Sequence, residues 1–285
     1  MKKGAKTMIS DSEKQFSWDD IEFHKTFPPQ DTYITKILDI AARNFSGSKE
    51  EISSLTGIPT GKVSGKVIPH IRYAALMGLI SYVKMGSTFS LELTDLGKMV
   101  YQEDKFLYEK LTRLICHYNL SDPVNGAVIW QFLYTQIPFS MDTEISRSLI
   151  NQRMKEYFGK EVKLSVIKST YSEGFMEPLG ILSIDESLTF SRCFYNREFE
   201  YAYAYLLLKS WESTFPQSQE LSIDQISNEI IWGQRFGFDE SETISALEEM
   251  AIDGIVKVNK QLHPYTVVRL ESSASVLPKL YSKLL

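Results

Sequence analysis

Apolar positions recur with a helical period over most of the chain, and they shift to a period of two at a few short places. Between Asp31 and Asn44, Ile34, Ile37, Leu38 and Ala41 fall on one stripe, with Asp31 placed to cap a first helix. The prolines of FHKTFPP (23–29) hold the lead-in to it extended. A short helix over Lys49–Leu55 follows, then a Thr56-Gly57 turn and a longer helix that reaches Leu79, broken by Gly78. A hairpin turns at Lys84-Met85-Gly86-Ser87-Thr88. In its second strand Phe89, Leu91 and Leu93 point one way and Thr88, Ser90 and Glu92 the other. Thr94 caps the next helix. This order predicts a winged helix-turn-helix domain over 23–104, after a flexible N-terminal tail over 1–22.

Pro69 leaves two geometries open for the second long helix. Either the helix starts near Pro69, with 60–66 as a loop, or it kinks there, because an internal proline costs about 3 kcal/mol or more. In both cases Gly61-Lys62-Val63-Ser64-Gly65-Lys66 stands at the leading end of the element that would enter a groove.

From Phe106 the pattern becomes helical and aromatic, through LYEKLTRLICHY, PVNGAVIWQFLYTQI and TEISRSLINQRMKEYF, which predicts a helical middle domain over 105–198. Trp130, Phe132, Tyr134 and Phe158 have the composition of a base-stacking platform, but aromatic residues at helical spacing are far more often core. The last third, 199–285, repeats the opening order: a helix over Phe199–Thr214, short helices over Ser222–Asn228 and Asp239–Asp253, and a hairpin of Ile255–Val258 with Tyr265–Leu270. The fold class expected is therefore mainly α, with an N-terminal winged helix-turn-helix, a helical middle, and a second winged-helix-like C-terminal module carrying a small β-hairpin.

Composition narrows the chemistry. With 285 residues, 43% of them hydrophobic, the chain can bury a sizeable core, and no apolar run approaches the roughly 20 residues that span a bilayer. The lysines of the first segment have no hydrophobic stretch behind them, so no signal peptide and a cytoplasmic location are expected. Cys116 and Cys193 lie far apart, and none of His24, His70, His117 and His263 pair at i, i+4, so no metal or other cofactor is expected. Cys116 and His117 are adjacent and diverge by about 100° on a helix, which excludes a nucleophile–base pair. Gly57 to Lys62 fails as a nucleotide-binding loop: three residues separate its glycine from Gly61-Lys62, and Val63 follows. No catalytic residues are assigned, and no enzyme is expected.

Net charge is −5, yet the window from Gly57 to Tyr73 holds Lys62, Lys66, His70 and Arg72 and no acid. A basic spot on an acidic protein suits an aimed phosphate contact. The candidate DNA-binding residues are Lys62, Lys66 and Arg72 on phosphate, Ser64 and His70 near base edges or sugar, and Lys84 on the backbone from the hairpin. Blander roles stand beside these: Arg72 as an ion-pair partner, His70 as a helix cap, His24 as a packed residue. The predicted helix over Asp239–Asp253 carries Asp239, Glu240, Glu242, Glu248, Glu249 and Asp253 and no base, so it would repel phosphate and suits protein docking or scaffolding.

At FHKTFP (23–28), GIPTGKVSGKVIPHIRYAALMGLI (57–80) and LELTDLG (91–97) the chain resembles a bacterial domain family of unknown function. That family is encoded in phage-defence islands beside genes for phosphorothioate DNA modification and phosphosulfate-reductase-like proteins. The resemblance spans Phe23 to Leu270, is specific in these motifs and diffuse afterwards, and supplies no catalytic residues. It implies a cytoplasmic accessory protein of a DNA modification or restriction system. The expected partner is duplex DNA, together with a defence-system enzyme. The alternative is a non-catalytic adaptor that docks such an enzyme through the acidic C-terminal module.

Overall fold

The computed structural model describes residues 17–61, 64–137, 140–261 and 263–284. About half of the chain is helical, and three small antiparallel sheets of three strands each complete it. After a short helix α1 (Trp18–Ile21), a first unit runs through α2 (Asp31–Ala41), β1 (Ser46–Ser48), α3 (Lys49–Thr56), α4 (Val67–Leu76), β2 (Ile80–Met85) and β3 (Thr88–Leu93). The helices α5 (Asp95–Glu103) and α6 (Lys110–Leu120) follow. A second unit is built from α7 (Val128–Thr135), β4 (Glu144–Ser146), α8 (Arg147–Phe158), α9 (Ser165–Ser172), β5 (Leu182–Ile184) and β6 (Ser187–Phe190). The third comprises α10 (Glu200–Thr214), β7 (Glu220–Ser222), α11 (Ile223–Asn228), α12 (Glu240–Ile252), β8 (Val256–Asn259) and β9 (Thr266–Arg269), and α13 (Ser273–Val276) packs on it.

All three units share one order, helix–strand–helix–helix–hairpin. In each sheet the last strand of the hairpin lies between the other two: β1-β3-β2, β4-β6-β5, β7-β9-β8. The middle region therefore carries a sheet of its own, which corrects the expectation of an all-helical middle. Its strands are three and four residues long, too short to show alternation among the helical runs around them.

The same local chemistry starts the second helix of each unit. Ser48 caps α3, and Glu51 returns the bond to the Ser48 amide at 2.7 Å; Ser222 and Gln225 repeat this box on α11. Ser146 caps α8 by accepting from Leu149 N at 3.4 Å, without the reciprocal partner. Such a box satisfies two of the amides a helix start leaves orphaned. Four residues beyond each serine stands an isoleucine (Ile52, Ile150, Ile226) with no exposed surface.

Of the tail expected over 1–22, residues 17–22 are folded, and residues 1–16 lie outside the described residues. Ser17 caps α1 by accepting from Asp20 N at 3.1 Å, and Ile21 and Phe23 are buried. Phe23 meets Tyr73 edge-on at 4.8 Å and Trp130 at 6.4 Å, so this segment joins the first unit to the second. One hydrophobic core runs through all three units and includes Trp130, Trp211 and Trp232, each fully buried. Trp130, Phe132 and Tyr134 lie inside it and are not a stacking surface.

Candidate nucleic-acid interface

The loop between α3 and α4 holds half of the six residues that the sequence singles out; His70 and Arg72 lie on α4 and Lys84 on β2. Gly57 ends α3 in the left-handed region (φ 68°), which only glycine adopts without cost. Ser53 Oγ donates to Ile58 O at 2.7 Å, Lys66 N to Pro59 O at 2.8 Å, and Lys49 Nζ to Gly61 O at 2.8 Å. The backbone passes close to itself here: a Cβ on Gly65 would sit 2.7 Å from Thr60 Cα. Pro69 is the third residue of α4, where a missing N–H removes no helical bond, so the helix starts beside the proline and is not kinked by it.

The candidate residues separate in space. Lys62 lies outside the described residues. Ser64 is exposed. Lys66 is half-buried, its ammonium 5.5 Å from the Phe27 ring centre and 5.2 Å from that of Tyr33. Lys84 stands exposed on the hairpin, over the Phe89 ring at 5.5 Å.

His70 and Arg72 do not lie open as expected. His70 is fully buried: its Nδ1 is 2.7 Å from Lys66 O, its ring meets Tyr33 edge-on at 5.0 Å, and its Nε2 has no partner. Burial lowers its pKa to about 4, so it stays neutral, and it reaches no base edge. Arg72 points from α4 into α1. Its guanidinium donates to Asp19 O at 2.9 Å, to Asp19 Oδ2 at 3.2 Å and to Asp20 Oδ1 at 2.6 Å, and only 18% of its side chain is exposed. The ion-pair role weighed for it is the one the structure gives. Both carboxyls sit below the usual range, Asp19 chiefly through a hydrogen bond from Lys25 and Asp20 chiefly through one from Ser17.

Sequence reasoning passed over two further cations. Lys36 is 6.0 Å from the same Tyr33 ring that Lys66 approaches, and Lys36 and Arg43 both line a surface depression of about 240 Å³ beside Leu55 and Thr56. Lys36 lies on α2 and Arg43 in the turn just past its end, so no helical spacing marks the pair. Among the described residues, Lys36, Arg43, Lys66 and Lys84 have no carboxylate within 4.0 Å.

The corresponding helices of the other units differ. In the second unit Lys168 of α9 pairs with Asp185 at 2.7 Å. In the third, the acids around α12 are engaged within the chain: Asp239 by Arg192 at 2.8 Å, Glu248 by Lys260, and Glu242 by the Tyr195 amide at 3.1 Å. That pattern is a scaffold more than an open acidic face. Among the described residues no three His, Cys, Asp or Glu side chains converge as metal ligands would, and no helix is long and apolar enough to cross a membrane.

No family model matches the chain, and no curated protein matches it. Its backbone is similar to two solved structures. One is the crystal structure of SspB, with a TM-score of 0.73; the other is that of magnesium-ion-bound SspB, with a TM-score of 0.74. In both, 15% of residues are identical, and the match covers 91% of this chain and 87% of that one. At that identity the likeness is one of fold.

Proposed function

We propose that the chain is a DNA-binding accessory protein, and that its first unit is a winged helix-turn-helix which meets the duplex through the α3–α4 loop and the β2–β3 hairpin. The observation that carries this reading is the set of cations on that unit, Lys36, Arg43, Lys66 and Lys84, without carboxylate partners among the described residues of a protein whose net charge is −5. Some neighbouring basic side chains do find acids, as Lys105 finds Asp39 at 2.6 Å. Holding cations apart from acids has an electrostatic cost, which a phosphate backbone would offset. The helix order and the β1-β3-β2 sheet support the same assignment, since they set a hairpin beside α4. The resemblance at residues 23–28, 57–80 and 91–97 extends the reading to a bacterial phage-defence or DNA-modification system, in which the chain would serve a larger enzyme without catalysing a step itself.

Fluorescence anisotropy of labelled duplex DNA across a salt series tests this. Lys36→Ala/Lys66→Ala should weaken binding and reduce the slope of log K against log salt by about two units, close to one for each phosphate that is no longer neutralised. A folded protein that binds no duplex at low salt, with the carboxylates of Asp19 and Asp20 either intact or neutralised, would overturn the reading. One observation favours the adaptor alternative: Phe194, between β6 and α10, and Ile252 at the end of α12 are each 69% exposed, apolar surface that a protein partner would cover.

A further inference from the structure

Ile68, Arg72, Ala75 and Leu76 form the least buried stripe of α4, each half-buried. In a winged helix-turn-helix this is the side that enters the groove. It is not free. The segment from Ser17 to Phe23 meets it at Arg72, where Asp19 and Asp20 hold the guanidinium and its Cζ lies 5.3 Å from the Phe23 ring centre. Further cations converge on the same segment. Lys25 donates to Asp19 at 2.8 Å, and Lys160 of the second unit lies 4.7 Å from the Trp18 ring centre. Two carboxylates thus stand against Arg72 and Lys25, as two phosphates of a nucleic-acid strand would, with Lys160 of the second unit close by at Trp18.

The geometry points to α1 as an acidic strap that holds Arg72 on the proposed DNA-facing side of α4, and that duplex DNA displaces so that Arg72 joins the phosphate contacts. This rests on the DNA-binding reading above and deepens it. The strap is built to lift. Asp19 and Asp20 are 70% and 50% exposed in their side chains, and ion pairs with a solvent-exposed partner are weak and screened by salt. A polyanion offers Arg72 the same bidentate acceptors in greater number. The burial of Ile21 and Phe23 beyond the acids keeps the strap anchored after release.

The test compares wild type with Asp19→Asn/Asp20→Asn by anisotropy of the same duplex across salt. A charge-matched control, Glu220→Gln/Glu229→Gln, removes two exposed acids from the third unit. The strap variant should bind about tenfold more tightly near 0.1 M salt, with a slope steeper by about one unit, and the control should not. Trp18 gives a second readout, because the other three tryptophans are fully buried. Duplex DNA should raise acrylamide quenching in wild type, and Trp18→Phe should abolish the rise. Equal binding by all three proteins, or an equal gain in the control, would overturn the strap and leave the DNA-binding reading standing. No binding by any of them would overturn both.

Discussion

His24, His70 and His117 are all buried and all held to a pKa of about 4, in each case first by loss of hydration. His117 is the most fully engaged. Its Nε2 lies 2.8 Å from Arg235 O, and since a carbonyl can only accept, that nitrogen carries the proton. Its Nδ1 then accepts from Tyr171 O–H at 2.5 Å, and Tyr171 in turn accepts from Trp130 Nε1 at 3.0 Å. Because the folded pKa lies below the unfolded value of 6.5, the unfolded chain binds more protons between pH 6.5 and about 4, and stability falls as pH falls through that window. Each histidine contributes a slope of roughly 1.4 kcal/mol per pH unit there, and stability is level in this respect above pH 6.5. Urea unfolding at pH 7 and pH 5 measures the effect. His70→Phe should shrink the difference between the two pH values by about a third, whatever it does to stability at pH 7, because it removes one of three similar groups. An unchanged difference would mean that His70 titrates normally in the folded chain.

At the scale of elements, the first and third units were legible because their punctuation is explicit. Ser48 with Glu51, Gly57, Gly78 and the alternation of Phe89, Leu91 and Leu93 mark the helices and hairpin of the first, and Ser222, Asp239 and Gly254 do so for the third, while the short leading strands β1 and β7 went unread. The second unit has the same architecture with weaker marks. Leu149 replaces the acid or amide of the capping box, and β4 extends only from Glu144 to Ser146, so the segment read as one continuous helix. Register with the other units was nevertheless present in the serine-to-isoleucine spacing of four, Ser146 to Ile150, that all three share. The site was less legible. Burial of His70 and capture of Arg72 by Asp19 and Asp20 depend on how residues some fifty positions apart pack, and no local pattern reports that. Close backbone approach makes one junction of the first unit especially sensitive. Thr94 Oγ1 donates to Gly78 O at 2.6 Å and accepts from Gly97 N at 2.9 Å, and a Cβ on Gly97 would lie 1.8 Å from Leu79 O. Gly97→Ala should therefore destabilise by about 1–3 kcal/mol, the usual cost of overpacking, despite the better helix propensity of alanine. Ser48→Ala, which removes only a cap, should cost about 1 kcal/mol. Thermal unfolding of the two variants ranks them, and a stabilised Gly97→Ala would show that α5 can move away from Leu79.

Across the whole molecule, what joins the units is as polar as it is apolar. Arg235, between α11 and α12, is fully buried and donates to Ile231 O at 3.0 Å, Ile230 O at 3.1 Å and Tyr118 O at 3.0 Å. Its guanidinium also lies against the Tyr118 ring and reaches Asp122 at 3.4 Å, so a residue of the third unit completes the C-terminal end of α6. Asn119 of the same helix donates to Met77 O in the first unit at 2.9 Å, and Tyr73 and Trp130 meet edge-on between the first and second. At the far end Lys283 bridges the buried Glu200 of α10 and Asp253 beyond α12, at 2.5 Å from the latter. A chain tied in this way should unfold as one cooperative body, although its three units look modular. Single-tryptophan variants retaining Trp130 or Trp211 report on the second and third units separately, and their urea transitions should coincide. Arg235→Leu leaves three buried carbonyls and one carboxylate without their donor, a loss of about 3–5 kcal/mol by analogy with broken buried pairs. If α6 transmits that loss, both tryptophans should report the same lowered midpoint. A transition that moves for Trp211 and stays fixed for Trp130 would instead make the third unit a separate folding domain, free to swing against the first unit.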